Sequence, residues 1–206
     1  MNPVSEPGRE TGADLAGSRL ILASASPRRR ELLAVLVEDF EVRPADIDER
    51  RRDGEQPEDH VPRLAVDKAR ALARVSPHAW VIGSDTEVVL DGACLGKPGD
   101  EARACEMLRS LSGRSHQVYS AVALVGPDCS MKTALSVSEV RFEAIPEDWI
   151  RRYAASGEPL DKAGGYAIQG RAAAWISNLD GSYSGVVGLP LFETARLLRD
   201  AGLMPA

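Results

Sequence analysis

The sequence predicts an α/β fold with a mixed, elongated β-sheet, flanking helices and two lobes around a central cleft, and three stretches carry that prediction. Leu20-Ile21-Leu22 is a short apolar run, read as a buried strand, and it is followed by Ser26-Pro27, a pair suited to opening a helix. Ala79-Trp80-Val81-Ile82-Gly83-Ser84 is nearly continuous in apolar residues, as expected for a strand covered on both faces. Residues 116–125 and 131–142 are two long strand-like segments joined by Gly126-Pro127-Asp128, a natural antiparallel pair.

Taken in order, the first helix has Ser26 as N-cap, Pro27 at a position that needs no donor, and Leu32, Leu33 and Leu36 as its apolar face. Arg28, Arg29 and Arg30 crowd its first turn, where the helix dipole disfavours cations by roughly a few tenths of a kcal/mol each. Arginines stacked on free N–H groups make an anion receptor, and phosphate oxygens suit a guanidinium fork. A solvated helix end or a kinase substrate has the same look. The position directly after a core strand, where open sheets bind ligands, favours the receptor.

Phe40-Glu41-Val42-Arg43 reads as a short strand stopped by Pro44. Asp46, Asp48 and Glu49 follow, either as ligands for a hard divalent cation or as a solvated loop facing Arg50, Arg51 and Arg52. Residues 58–75 form an amphipathic helix on Val61, Leu64, Ala65, Ala69 and Leu72. Lys68 lies among these apolar positions, so it either snorkels to water or aims at a phosphate in a cleft. The strand from Ala79 runs on through Asp85-Thr86 to Val88-Val89-Leu90, and Asp91-Gly92 turns it back toward Gly96-Lys97-Pro98. An aspartate inside such an apolar run is costly unless it is paired or holds a cation, which makes Asp85 the strongest single-residue signal in the chain.

Asp100 caps the next helix, which faces the core with Ala104, Met107, Leu108 and Leu111 and stops at Gly113. After the antiparallel pair, residues 146–155 form a short helix. Residues 158–170 are glycine-rich and polar; Asp161, Lys162 and Gln169 offer an acceptor, a cation and an amide, enough to read a base edge and its phosphates. An ordinary connecting loop has the same composition. Residues 178–185 read as a second loop, and residues 191–198 as a closing helix.

Composition narrows the function. The 206 residues carry a net charge of −6, with 44% apolar and 27% charged residues, so the few basic clusters favour a small anionic ligand over nucleic acid. Cys94, Cys105 and Cys129 have no metal-ligand spacing and read as reduced thiols of a cytoplasmic protein. His60, His78 and His116 are too scattered for a zinc site, and no apolar run reaches the roughly 20 residues that cross a bilayer. Residues 1–18 are expected to be a disordered leader, and residues 19–206 a single domain.

From Arg19 onward the chain resembles the Maf family of nucleoside triphosphate pyrophosphatases, once described as septum-formation inhibitors. The resemblance rests on Ser24-Ala25-Ser26-Pro27-Arg28-Arg29, Asp85-Thr86, Lys97-Pro98, and Asp161-Lys162-Ala163-Gly164 through Ile168-Gln169-Gly170 in this order and spacing. It implies a Maf/ITPase-like fold and cleavage of a nucleoside triphosphate between its α- and β-phosphates. Arg29, Thr86 and Gln169 match the specificity positions of the branch acting on dTTP, UTP and modified pyrimidine nucleotides such as 5-methyl-UTP. Asp85 matches the catalytic proton acceptor, and Glu49, or Asp48 beside it, matches a site carboxylate that with Asp85 would hold Mg²⁺ or Mn²⁺. Arg28, Arg29, Lys68 and Lys97 would neutralise the phosphates, with Ser24 or Ser26 adding donors. A homodimer is also implied.

Two departures stand out: residues 1–18 precede the usual family start, and Glu87 replaces the usual apolar residue after Asp-Thr. By strand alternation Glu87 shares a face with Asp85, as an extra site carboxylate or at the rim. The rival readings are a non-catalytic nucleotide-binding regulator of cell division, which has no need of Asp85, Glu49 and a metal, and a phosphopeptide-binding module, which leaves Gln169 without a role.

Overall fold

A computed structural model describes residues 19–205, so the expected leader lies outside the described residues. Strands β1 (Arg19–Leu22), β2 (Glu41–Val42), β3 (Ala79–Leu90), β4 (Ala93–Cys94), β5 (Ser115–Val125), β6 (Met131–Phe142) and β7 (Ile176–Asp180) form one sheet. Its order is β2-β1-β3-β5-β6-β7, with β4 folded back on the end of β3. β1 is parallel to β2 and β3, while β3, β5, β6 and β7 alternate in direction, so the sheet is mixed as expected. Asp91 and Gly92 both have positive φ, 51° and 78°, the conformation a two-residue hairpin of matching twist requires.

The helices are α1 (Pro27–Leu33), α2 (Pro57–Ala73), α3 (Glu101–Leu111), α4 (Glu147–Ala155), α5 (Tyr183–Val187) and α6 (Leu191–Asp200). α2 covers one face, where Val61, Ala65 and Ala69 meet Val81, Ala121 and Ala123. The other face carries two apolar clusters. One joins Ile82, Val122 and Leu124 to Leu197 and Leu198 of α6; the other joins Val88, Val118, Val140 and Phe142 to Leu108 and Leu111 of α3 and to Ile150 and Tyr153 of α4. Between them runs a belt of hydroxyls, with Ser84 and Thr86 on β3, Ser120 on β5, and Ser136 and Ser138 on β6. The four serines are buried.

Helix α5 lies over that belt and satisfies it: Ser120 Oγ donates to the Gly185 carbonyl at 2.7 Å, and Ser138 Oγ accepts from the Ser182 amide at 2.9 Å. The expected loop at 178–185 is therefore corrected. Residues through Asp180 belong to edge strand β7, paired Glu139↔Asp180 and Val140↔Leu179, and Ser182 caps α5. The glycine-rich passage also winds into a short 3₁₀ turn at Ala163–Gly165, and a second follows it at Arg171–Trp175.

Candidate active site

β1 accompanies β3 only from Arg19↔Ala79 to Leu22↔Ile82, and β4 pairs with β3 only from Val89. Between them one edge of β3 has no strand neighbour among the described residues, so residues on both of its faces reach the same cleft. That cleft, of about 510 Å³, is lined by Asp85, Thr86, Glu87 and Val88 of β3. The structure also brings Ser24, Ser26, Arg28, Arg29, Glu49, Lys68, Lys97, Asp161, Lys162 and Gln169 onto its walls. Arg30 is exposed and does not line it.

Each wall has a local cause. Ser26 Oγ accepts from the Arg29 amide at 3.4 Å and Ser24 Oγ from the Ser26 amide at 3.1 Å, so both hydroxyls keep their protons for an incoming anion. Arg29 is held by its Nε–H, which donates to the Gly188 carbonyl at 2.9 Å, and by Nη2, which lies 3.5 Å from Thr86 Oγ1. Burial draws its guanidinium below the ordinary arginine range, against the pull of Asp85 and Glu49. The Lys97 loop is tied to the Asp161–Lys162 segment by the Gly164 amide, which donates to the Gly96 carbonyl at 2.8 Å. Lys162 Nζ donates to the Glu158 carbonyl at 2.7 Å and to Asp161 Oδ1 at 2.6 Å. Gln169 and Lys97 are exposed at the rim. Val88, Tyr166, Ile168, Val186 and Val187 contribute an apolar lining against which a flat base can pack.

Lys68 does not snorkel: it is 6% exposed, and its Nζ donates to Asp85 Oδ1 at 2.7 Å and pairs with Glu49 Oε1 at 2.8 Å. Burying Lys68 and Asp85 is tolerable because each answers the other. Of the two neighbouring carboxylates, Glu49 reaches the cleft, while Asp48 turns outward to Arg50 at 2.7 Å. The loop carrying Glu49 is fastened to α2 by Arg63, which grips Glu55 and donates to the Arg50 carbonyl at 3.2 Å. Glu87 lies in the cleft with Asp85, and its Oε2 is buried without a hydrogen-bond partner among the described residues. Burial first, and the Asp85 charge second, push its carboxyl up to about 7.

These donors suit a hard cation. Among the described residues no group of three or more His, Cys, Asp or Glu is arranged to cage a metal. Two carboxylates completed by phosphate oxygens are how Mg²⁺ is commonly held, and the buried Glu87 Oε2, without a hydrogen-bond partner among the described residues, is a further oxygen such a cation could engage. The residues the sequence reading passed over are Ser84, Ser120, Gly185 and Gly188, whose hydroxyls and carbonyls fix Thr86 and Arg29. Ser84 and Ser120 sit inside strands without breaking their apolar pattern, and Gly185 and Gly188 act through backbone carbonyls, so none of the four left a signal in the sequence.

A family model described as Maf-like protein matches residues 19–201. The chain is 55% identical over 186 residues to a protein of Methylococcus capsulatus named dTTP/UTP pyrophosphatase, covering 90% of this chain and 92% of that one. A protein of Xanthomonas campestris with the same name is 54% identical over 187 residues, covering 89% and 98%. Among solved structures, a HAM1 protein from Coxiella burnetii is similar with a TM-score of 0.52 at 17% identity over 90% of this chain and 98% of that one, a likeness of fold alone. With nearly every described residue inside the family model, and more than half of the aligned residues shared with these relatives, the chain belongs to the Maf family.

Proposed function

We propose that this protein hydrolyses dTTP, UTP and modified pyrimidine nucleotides such as 5-methyl-UTP to the monophosphate and pyrophosphate. The observation that carries the reading is a single cleft in which Arg28, Arg29, Lys97 and Lys162 share the walls with the Lys68-bridged carboxylates of Asp85 and Glu49. The names of relatives about 50% identical over most of the chain support the enzyme over a non-catalytic regulator of cell division. The reading takes the protein as cytoplasmic, concerned with the nucleotide pool, with no nucleic-acid or membrane partner, and as a homodimer. It takes residues 19–206 as one domain.

In the mechanism, Arg28, Arg29 and Lys97 neutralise and orient the β- and γ-phosphates, joined by the free hydroxyl protons of Ser24 and Ser26. Asp161 and Lys162 extend the polar wall beside Gln169. Lys68 engages Oδ1 of Asp85, leaving Oδ2 for the attacking water. Asp85 accepts the water's proton as the new oxygen–phosphorus bond forms at the α-phosphorus. The bond from that phosphorus to the bridging oxygen breaks, and pyrophosphate leaves in line. Asp85 and Glu49 would hold a divalent cation, Mg²⁺ or Mn²⁺, which when bound supplies charge neutralisation and polarisation of the phosphate oxygens. Gln169 reads the base: its amide can donate to one edge atom and accept from the next, so an ill-matched base leaves buried polar groups unpaired.

Pyrophosphate release from dTTP, UTP, 5-methyl-UTP, CTP and GTP, measured with Mg²⁺ and Mn²⁺, tests the reading. The first three are expected to turn over fastest. Asp85→Asn should lose roughly 10²–10⁴-fold in kcat, the range for a general base. A variant near wild-type rate removes Asp85 from the chemistry, and a purine preference removes the pyrimidine assignment.

A further inference from the structure

The hydroxyl belt has a direction, and counting its protons reveals it. The Gly185 carbonyl can only accept, so the 2.7 Å contact from Ser120 uses the one Ser120 proton. The 2.6 Å contact between Thr86 Oγ1 and Ser120 Oγ must then be donated by Thr86. With its own proton used, Thr86 cannot also donate to the Gly188 carbonyl 3.3 Å away. That carbonyl instead receives Arg29 Nε–H at 2.9 Å and Ser84 Oγ–H at 3.1 Å, which fill its two lone pairs. Thr86 is left as a pure acceptor toward Arg29 Nη2 and the cleft. Ser120 itself is 1% exposed and does not line the cleft.

We infer that Ser120 is a positioning residue: by taking the Thr86 proton it keeps the Gly188 carbonyl free for Arg29 and so sets the guanidinium that meets the nucleotide. Without the Ser120 hydroxyl, the Thr86 proton turns to Gly188 and competes with Arg29 Nε–H for it. The consequence for turnover rests on the function proposed above; the consequence for Arg29 does not.

The test compares Ser120→Ala in the wild-type and Thr86→Val backgrounds. The first readout is hydrogen exchange of the Arg29 Nε–H by NMR in ligand-free protein. Ser120→Ala is expected to accelerate exchange roughly fivefold, the scale of one weakened neutral hydrogen bond, and to do nothing further once Thr86 has no hydroxyl. kcat/KM for dTTP should fall by a similar factor with the same dependence on Thr86. Loss of the Gly185 contact, a purely structural effect, lowers the melting temperature equally in both backgrounds. Equal acceleration in both backgrounds, or none in either, overturns the inference. Should Ser120→Ala not fold, Ser120→Cys, similar in volume but a weak acceptor for the Thr86 proton, carries the same comparison. If exchange follows the expectation while no nucleotide is hydrolysed, the function fails and the positioning role stands.

Discussion

At the scale of single residues, the chain pairs the buried Lys68 with Asp85 and leaves the buried imidazole of His116 neutral. His116 is 3% exposed, stacked on Phe142, with Nε2 2.8 Å from the Tyr166 hydroxyl and Nδ1 without a partner. Burial lowers its pKa to about 4 from an ordinary 6.5. The unfolded chain therefore binds more protons between those values, and His116 stabilises the fold above pH 6.5 and loses that contribution as pH falls toward 4. The contribution is on the order of 3 kcal/mol. Glu87 acts in the opposite sense: its raised pKa makes the folded state bind the extra proton between 4.5 and about 7, so stability declines as pH rises there. The two slopes oppose each other across a shared window, and a raw stability curve hides both. Urea unfolding of His116→Asn against wild type, on metal-free protein, isolates the first. The difference between the two proteins is expected to shrink steadily from pH 7 to pH 4.5, and a constant difference excludes a neutral buried His116.

At the scale of elements, the cleft depends on how closely α2 lies on β3, and that closeness depends on Gly83. A Cβ there would stand 2.0 Å from the Ala65 carbonyl oxygen and 2.8 Å from the Ala69 amide, both backbone atoms that cannot step aside. Gly83→Ala must lift the helix that carries Lys68 away from the strand that carries Asp85. The expected result is a loss of roughly 1–3 kcal/mol or more in urea unfolding, the range for overpacking, with a larger loss of activity than of structure. Unchanged stability would mean that α2 and β3 are not packed at this contact. This residue also marks how far the elements were legible. The apolar runs of β1 and β3, the spacing of α2, the Asp91-Gly92 turn and the aspartate inside β3 each left a pattern that only one element satisfies. β7 left none: as an edge strand with Asn178 and Asp180 exposed, it has no apolar alternation and exists through its pairing with β6. α5, five residues long, is too short for helical periodicity and is fixed by hydroxyls of β5 and β6. The cleft residues named from motifs were legible, and they meet where, among the described residues, β3 lacks a strand partner between β1 and β4. The belt that orients them was not, because serine and threonine sit in a strand without disturbing its pattern.

At the scale of the whole molecule, the two apolar clusters on one face of the sheet are joined by the polar belt and its cover, α5, rather than by continuous apolar packing. The cleft draws its walls from both sides of that seam, with Arg29 anchored on Gly188 and with Ile168 and Tyr166 from the far cluster. A bound nucleotide should therefore fasten the two regions together, and the effect can be measured without turnover. An α,β-methylene analogue of dTTP resists cleavage at the proposed bond. At about 100 times its Kd it should add about 2.7 kcal/mol, which for a domain of this length raises the melting temperature by roughly 5–11 °C. In an acidic protein of net charge −6, the phosphate contacts proposed for the cleft walls make the effect dependent on a divalent ion. With chelator the shift should fall well below half, because Asp85 and Glu49 then face the phosphates directly. The matching β,γ-methylene analogue keeps the α–β bridge intact as a substrate and should be cleaved to dTMP. Cleavage of the α,β analogue instead would place the broken bond at the γ-phosphate, and a full shift in chelator would show that these carboxylates hold no metal when nucleotide binds.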